Sequence, residues 1–231
     1  WRPAPVTSAP PPDSIEALFA RFGPAYRWLV TATVMMGTIA TILTATIVNV
    51  ALPDIMGAFG MGQDKAQLLS TGFLAAMTGT MLLNAWMVET LGQRATFMLA
   101  VVVFIVASVM GGLAPAEGVL ILARVLQGGA AGILQPLAMQ VIFQVFPPEK
   151  RGSAMGIYGI GVVLAPALGP TLGGIMVDNF SWRYVFFMAV PFCLIGLFLA
   201  TLFIPGRASS GPPRRFDWIG FGLMTVFLVT L

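Results

Sequence analysis

Long apolar runs, each about as long as a bilayer is thick, constrain this chain more than any other feature. A helix rises about 1.5 Å per residue, so roughly 20 apolar residues cross the hydrocarbon core. We predict an all-α integral membrane protein with six complete spans and the start of a seventh at residue 218. The six runs lie at 28–52, 67–88, 96–114, 118–146, 152–177 and 184–204.

Composition supports the same class. Apolar residues fill 58% of the 231 positions and charged residues only 9%, against about half and about a quarter in a soluble domain. The chain has no histidine, and its one cysteine, Cys193, lies in an apolar run. We therefore expect no disulfide, no metal site and no enzyme active site at bilayer depth. The charges fall in short clusters between the runs, which excludes a basic face for nucleic acid.

The distribution of Lys and Arg predicts the orientation. With the N-terminus in the cytoplasm, the inside segments hold nine basic residues and the outside loops hold two. This excess is the positive-inside bias of membrane proteins. The inside residues are Arg2, Arg21, Arg27, Arg94, Lys150, Arg151, Arg207, Arg214 and Arg215, and the outside residues are Lys65 and Arg183.

The pattern divides the chain into four segments. Residues 1–27 are expected to form a disordered Pro/Ala-rich tail and a short amphipathic helix, capped by Asp13, that lies on the bilayer. Residues 28–204 form the six-helix bundle. Residues 205–217 form an inside loop, and residues 218–231 begin the seventh span.

A polar face on the fourth span is centred on Arg124, which lies about six residues, or roughly 9 Å, into the helix. A charge at that depth is costly unless it faces protein or water. Gln135 follows three turns later on the same side, and Gln127 lies beside that line. We expect this face to line a substrate cavity. The alternative is a structural arginine that bonds carbonyls of a neighbouring helix.

The first span adds Thr38, Thr44 and Asn49 to the candidate cavity. Thr38 and Asn49 are eleven residues apart and therefore share a helix face. Threonine bonds to its own helix at little cost, whereas the Asn49 amide needs partners beyond its own backbone. It is expected either to contact a ligand or to join two helices.

The fifth span carries small residues and prolines at helical spacing. Small residues let neighbouring backbones approach closely, and each proline removes a helix hydrogen bond. Such a helix suits a seam between two moving bundles, and simple tight packing is the alternative. The set comprises Gly161, Pro166, Gly169, Pro170, Gly173 and Gly174.

The segment after the second span carries an acid, a glycine and a base at Glu89, Gly92 and Arg94. A tight turn at Gly92, flanked by these charges, can lock two helix ends together on the cytoplasmic side. An ordinary inside loop is the alternative. We treat the three residues as a candidate gate loop.

In order along the chain, these segments resemble the major facilitator superfamily, and within it the fourteen-span drug:proton antiporters of the EmrB/QacA type. The resemblance implies the N-terminal half of such a transporter, with spans one to three and four to six as inverted repeats. It also implies a proton-coupling role for Arg124. The matching stretches are 46–53, 124–128, 161–174, 182–191 and 216–220.

Three departures from the family pattern stand out. The family usually has an aspartate two residues before the threonine that matches Thr46, and here that position is Thr44. Without an acid there, this half lacks the group best suited to hold a proton or meet a cationic drug. Ala189 stands where relatives often have asparagine. The gate-loop motif also differs, at Ala85, Glu89, Thr90 and Gln93.

The resemblance implies proton-coupled efflux of lipophilic compounds by alternating access, with the proton gradient as energy source and no cofactor. A site with Arg124 and no acid favours neutral or anionic substrates over cations. The implied setting is a bacterial inner membrane, with a C-terminal half and, in relatives from double-membraned bacteria, a periplasmic adaptor and an outer-membrane channel. The alternative is a membrane scaffold or sensor that keeps the transporter fold but has lost proton coupling.

Overall fold

The computed structural model describes residues 14–206, residues 220–222 and residue 224. All regular structure in this part of the chain is helical, which confirms the predicted all-α class. A 3-10 turn, Gly23–Ala25, joins the first two helices. The helices are α1 (Ile15–Phe22), α2 (Tyr26–Phe59), α3 (Gln63–Met81), α4 (Asn84–Leu91), α5 (Gln93–Gly112), α6 (Glu117–Val145), α7 (Pro148–Asn179), α8 (Tyr184–Phe187) and α9 (Val190–Phe203).

By length and apolar composition, five stretches of helix in these residues could cross a membrane. They are α1 continued by α2, then α5, α6 and α7, and finally α8 continued by α9. Helices α3 and α4 meet the test only together, bent by 54°, and then form a sixth. The six predicted runs coincide with these stretches. Residues 1–13 of the predicted tail, most of the loop at 205–217 and most of the seventh span lie outside the described residues.

The bend in the second span falls at Leu82 and Leu83, where the sequence has no proline. The Leu83 N–H donates to the Thr80 carbonyl at 3.0 Å, and the Leu82 N–H donates to Gly79 at 3.4 Å. These bonds reach back three residues instead of four, which tightens the last turn of α3. The Thr80 hydroxyl also lies 2.8 Å from the Gly129 carbonyl. The end of α3 is therefore tied to α6 where the chain turns away.

The short helix α1 begins one residue later than the sequence suggests. Its cap is Ser14, whose hydroxyl accepts a hydrogen bond from the Ala17 N–H at 3.2 Å, while Asp13 lies outside the described residues. Its apolar stripe packs against the bundle: Leu18 is buried, and the rings of Phe22 and Phe203 are 5.2 Å apart. The stripe thus contacts the ends of the spans, where we expected contact with lipid.

The helices pack in two equivalent sets. Helix α2 packs against α7, and the equivalent pair in the other set is α6 against α3. Helix α9 packs against α2, and the equivalent pair is α5 against α6. Exchanging the first three spans for the second three converts each of these pairs into its counterpart. This is the contact pattern expected of two three-span repeats. It agrees with the predicted six-helix bundle.

Two glycines set the distance between α3 and α6. A Cβ atom placed on Gly128 would overlap the carbonyl of Phe73, and one on Gly132 would overlap the carbonyl of Met77. Both obstacles are backbone atoms of α3, which cannot rotate aside. Because lipid offers no hydrophobic drive for helix association, such close backbone contact supplies much of the packing energy in a membrane protein.

We predict that Gly128→Ala destabilises the protein by about 1–3 kcal/mol, because the added methyl group forces α3 and α6 apart. For a chain of this size that corresponds to a fall in Tm of about 2–12 °C, measurable by thermal unfolding in detergent. Gly129→Ala is the matched control, since its Cβ would lie 3.5 Å from the Thr80 side chain, an ordinary contact. Equal Tm values for the two variants would contradict the proposed packing.

Candidate functional site

Arg124 lies inside the bundle with 1% of its surface exposed. Its Nε donates to the Leu69 carbonyl on α3 at 3.1 Å, and its Nη1 donates to the Gln127 Oε1 at 3.0 Å. The guanidinium carbon sits 4.4 Å from the centre of the Phe73 ring. Gln127 then donates to the Ser108 hydroxyl on α5 at 2.9 Å. One buried polar chain therefore connects α3, α6 and α5.

This geometry corrects the expectation that Arg124 and Gln127 face an opening. A buried guanidinium requires hydrogen-bond acceptors, and here a backbone carbonyl and an amide provide them. The sequence left open a structural arginine that bonds a carbonyl of a neighbouring helix, and the bond from Arg124 to Leu69 matches that alternative. Within residues 14–206, Arg124 forms no ion pair with a carboxylate.

A cavity of about 200 Å³ lies between α2, α6, α7 and the end of α3. Two residues predicted for the cavity, Thr38 and Gln135, meet in its wall. The Tyr158 hydroxyl also lines it and donates to the Thr38 hydroxyl at 3.3 Å. Within the described residues the Gln135 amide makes no hydrogen bond. The remaining lining residues are Ile42, Met81, Pro136, Met139 and Val162.

Tyr158 is the residue that sequence reasoning missed. The chain has only three tyrosines, and this one lies in the glycine-rich fifth span, where its ring is 3% exposed. A phenol buried in a membrane helix needs a hydrogen-bond partner. A tyrosine in the middle of an apolar span could therefore have indicated a polar site from the sequence alone.

The other two first-span candidates make helix contacts. The Thr44 hydroxyl donates to the Ala40 carbonyl of its own helix at 2.8 Å. Asn49 is exposed, and its Oδ1 accepts a hydrogen bond from the Ser70 hydroxyl on α3 at 2.9 Å. Asn49 therefore joins two helices, which is one of the two roles expected for it.

The small residues of α7 face α2 on one side. A Cβ on Gly169 would overlap the Thr46 hydroxyl, and one on Gly173 would lie 3.3 Å from the side chains of Ile47 and Val50. Gly161 faces Met35 of the same helix. The prolines Pro166 and Pro170 lie inside α7, and Gly174 has open space beside it. The α7 glycines thus bring the fifth span close to the first.

The candidate gate loop joins α4 to α5 and contacts the end of the sixth span. Gly92 has φ +85°, a conformation that favours glycine. Arg94 donates through its Nε to the Ile204 carbonyl at 2.7 Å, and Glu89 is exposed. Close by, the Tyr26 hydroxyl donates to the Phe203 carbonyl at 3.0 Å. These two hydrogen bonds therefore hold α2 and α5 against the end of α9.

Comparison with known proteins identifies the family of this chain. Residues 34–228 match the Major Facilitator Superfamily. The uncharacterized MFS-type transporter YhcA of Bacillus subtilis (strain 168) is 37% identical over 197 residues, which cover 85% of this chain and 37% of YhcA. The multidrug export protein EmrB of Escherichia coli (strain K12) is 30% identical over 203 residues, 88% of this chain and 40% of EmrB.

A solved structure agrees with these matches. The crystal structure of the peptide transporter POT in complex with sulfate superposes with a TM-score of 0.70 at 14% identity, over 94% of this chain and 47% of that one. At that identity the likeness concerns the fold alone. The chain spans about two fifths of the length of the curated relatives it matches. The resemblance read from the motifs is confirmed: the chain belongs to the Major Facilitator Superfamily of membrane transporters.

Proposed function

We propose that this chain forms one half of a proton-coupled exporter that moves lipophilic compounds across the bacterial inner membrane by alternating access. The observation that carries the proposal is the cavity at Thr38, Gln135 and Tyr158, which places uncharged polar groups inside an apolar membrane bundle. Small-molecule sites typically occupy about 300–1,000 Å³, so a cavity of about 200 Å³ suits half of a site. The similarity to the multidrug export protein EmrB supports the direction of transport.

The α1 end of the bundle is proposed to face the cytoplasm. It gathers Arg21, Arg27, Arg94 and Arg151, whereas the opposite end holds Lys65 and Arg183. This asymmetry follows the positive-inside bias. A periplasmic adaptor and an outer-membrane channel belong to the same proposal, because the resemblance to the EmrB type implies them in double-membraned bacteria.

Proton coupling is proposed to act through the Arg124 chain of hydrogen bonds. Each proton that enters gains about 2.3 kcal/mol per 100 mV of membrane potential, plus the pH gradient. No carboxylate in residues 14–206 pairs with Arg124. The titrating acid is therefore assigned to the C-terminal half, with exposed Glu89 as the alternative. Arg124 serves as a fixed charge whose partners change when that acid is protonated.

A scaffold or sensor is the competing function, and the observation that favours it is Thr44. This position holds a hydroxyl bonded to its own helix, where related transporters usually carry an acid. A protein that lost coupling would keep the bundle and the cavity but would move no substrate against a gradient.

We predict that Arg124→Ala in the full-length protein lowers proton-driven efflux at least tenfold, and that Arg124→Lys retains part of it. The reason is that Lys keeps the charge but lacks the planar guanidinium that donates to Leu69 and Gln127 from two separate nitrogens. The measurement is uptake of a fluorescent lipophilic dye into energised inverted vesicles, which corresponds to efflux from the cell, normalised to expression and Tm. Arg183→Ala is the control, because Arg183 also bonds carbonyls, those of Gly112 and Ala114, but lies at the bundle's far end. Undiminished efflux by a well-expressed Arg124→Ala variant would favour the scaffold or sensor.

We predict opposite labelling of two engineered cysteines. Gly62 and Gly152 are exposed at opposite ends of the bundle, with open space for a side chain. The native Cys193 is 0% exposed and contributes little background. In right-side-out vesicles a membrane-impermeant maleimide should label Gly62→Cys at once, and Gly152→Cys only after permeabilisation. The reverse result would invert the proposed orientation.

A further inference from the structure

The cavity between α2, α6 and α7 presents no formal charge. Its polar groups are the hydroxyls of Thr38 and Tyr158 and the amide of Gln135, and every other lining side chain is apolar. Moving an ion from water into such surroundings is costly unless a counter-charge receives it. The wall of this cavity offers none.

Arg124 does not supply the missing charge. Its side chain is 1% exposed, and it is bonded to Leu69 on α3 and to Gln127, away from the cavity wall. An anion in the cavity therefore has no direct contact with the guanidinium. The sequence suggested neutral or anionic substrates over cations, and this geometry supports only the neutral ones.

The three polar groups leave hydrogen-bonding capacity for a ligand. The bond from Tyr158 to Thr38 measures 3.3 Å, longer than the 2.5–3.0 Å or so of a well-formed hydroxyl bond, so the phenol can turn to another partner. Thr38 already donates to the Val34 carbonyl at 3.1 Å and is left as an acceptor. Within the described residues the Gln135 amide has no partner, so its donors and its acceptor are available.

The size and shape of the cavity restrict the class of ligand further. A dry cavity of about 150 Å³ is known to hold benzene, so about 200 Å³ accepts an aromatic ring with one small polar substituent. Met81 and Met139 lie at the rim with 40% and 45% exposure. Methionine side chains adapt to irregular apolar shapes, and the remainder of a larger compound can pack against them.

We propose that this cavity selects neutral aromatic molecules that carry one hydrogen-bonding group, with Tyr158 and Gln135 as the residues that determine this specificity. The inference rests on the proposed function, because it names the substrate class of the same cavity. It differs from the sequence-based expectation by excluding anions as well as cations.

The test compares ligands that share one ring system. The full-length protein in lipid nanodiscs is dialysed to equilibrium against 2-naphthol, 2-naphthoate, 2-naphthylmethylammonium or naphthalene at pH 7, and binding to empty nanodiscs is subtracted. We expect 2-naphthol to bind at least tenfold more tightly than either charged analogue. Tyr158→Phe and Gln135→Leu should each weaken 2-naphthol binding three- to tenfold and leave naphthalene binding unchanged.

Tyr184→Phe is the matched control, because this tyrosine is exposed at the far end of the bundle and undergoes the same chemical change. The inference is overturned if a charged analogue binds as tightly as 2-naphthol, if no ligand binds saturably, or if neither cavity variant affects 2-naphthol more than naphthalene. Efflux assays separate the two proposals. Gradient-driven export of charged compounds alone would reject the proposed specificity and support the exporter function. Selective 2-naphthol binding without any export would support the specificity and reject the exporter function.

Discussion

The need of a buried guanidinium for hydrogen-bond acceptors fixes the spacing of the central helices. Arg124 reaches the Leu69 carbonyl only because the backbones of α3 and α6 lie close together, and Gly128 and Gly132 permit that approach. The residues involved form two facing rows with a four-residue step: Arg124, Gly128 and Gly132 on α6, and Leu69, Phe73 and Met77 on α3. The polar contact and the glycine contacts are therefore parts of one interface, and weakening either strains the other.

The same two rows explain why one face of α6 is closed at Arg124 and open at Gln135. The helices run in parallel, and eleven residues separate these positions, a rise of roughly 16 Å. Over that distance α3 reaches its end at Met81 and the chain bends by 54°. Beyond Met81, α3 no longer covers this face of α6, and the space left forms the cavity lined by Gln135 and Tyr158. The bend in the second span thus creates the opening.

The sequence predicted what depends on local pattern. The lengths of the apolar runs placed all six spans, and the small residues of α7 correctly indicated close packing. The bend at Leu82 and Leu83 was missed, because the sequence there has no proline or other marker of hydrogen bonds that reach back three residues. The sequence left two surroundings open for Arg124, a cavity or a neighbouring helix, since a polar stripe defines a helix face but does not say which neighbour covers it at each level. Tyr158 was overlooked because no charge or repeat marked it.

The burial of Arg124 restricts how a proton could influence it. Arg124 has 1% of its surface exposed, and its Nε and Nη1 donate to Leu69 and Gln127. An acid in the cavity therefore gains direct contact with the guanidinium only if α3 separates from α6. Separation at Gly128 would also shift the end of α3, because Thr80 is bonded to the carbonyl of Gly129. Met81, next in the chain, lines the cavity at Gln135 and Tyr158. The proposed coupling through Arg124 is therefore mechanical: on that proposal it changes the shape of the cavity and leaves the cavity wall uncharged.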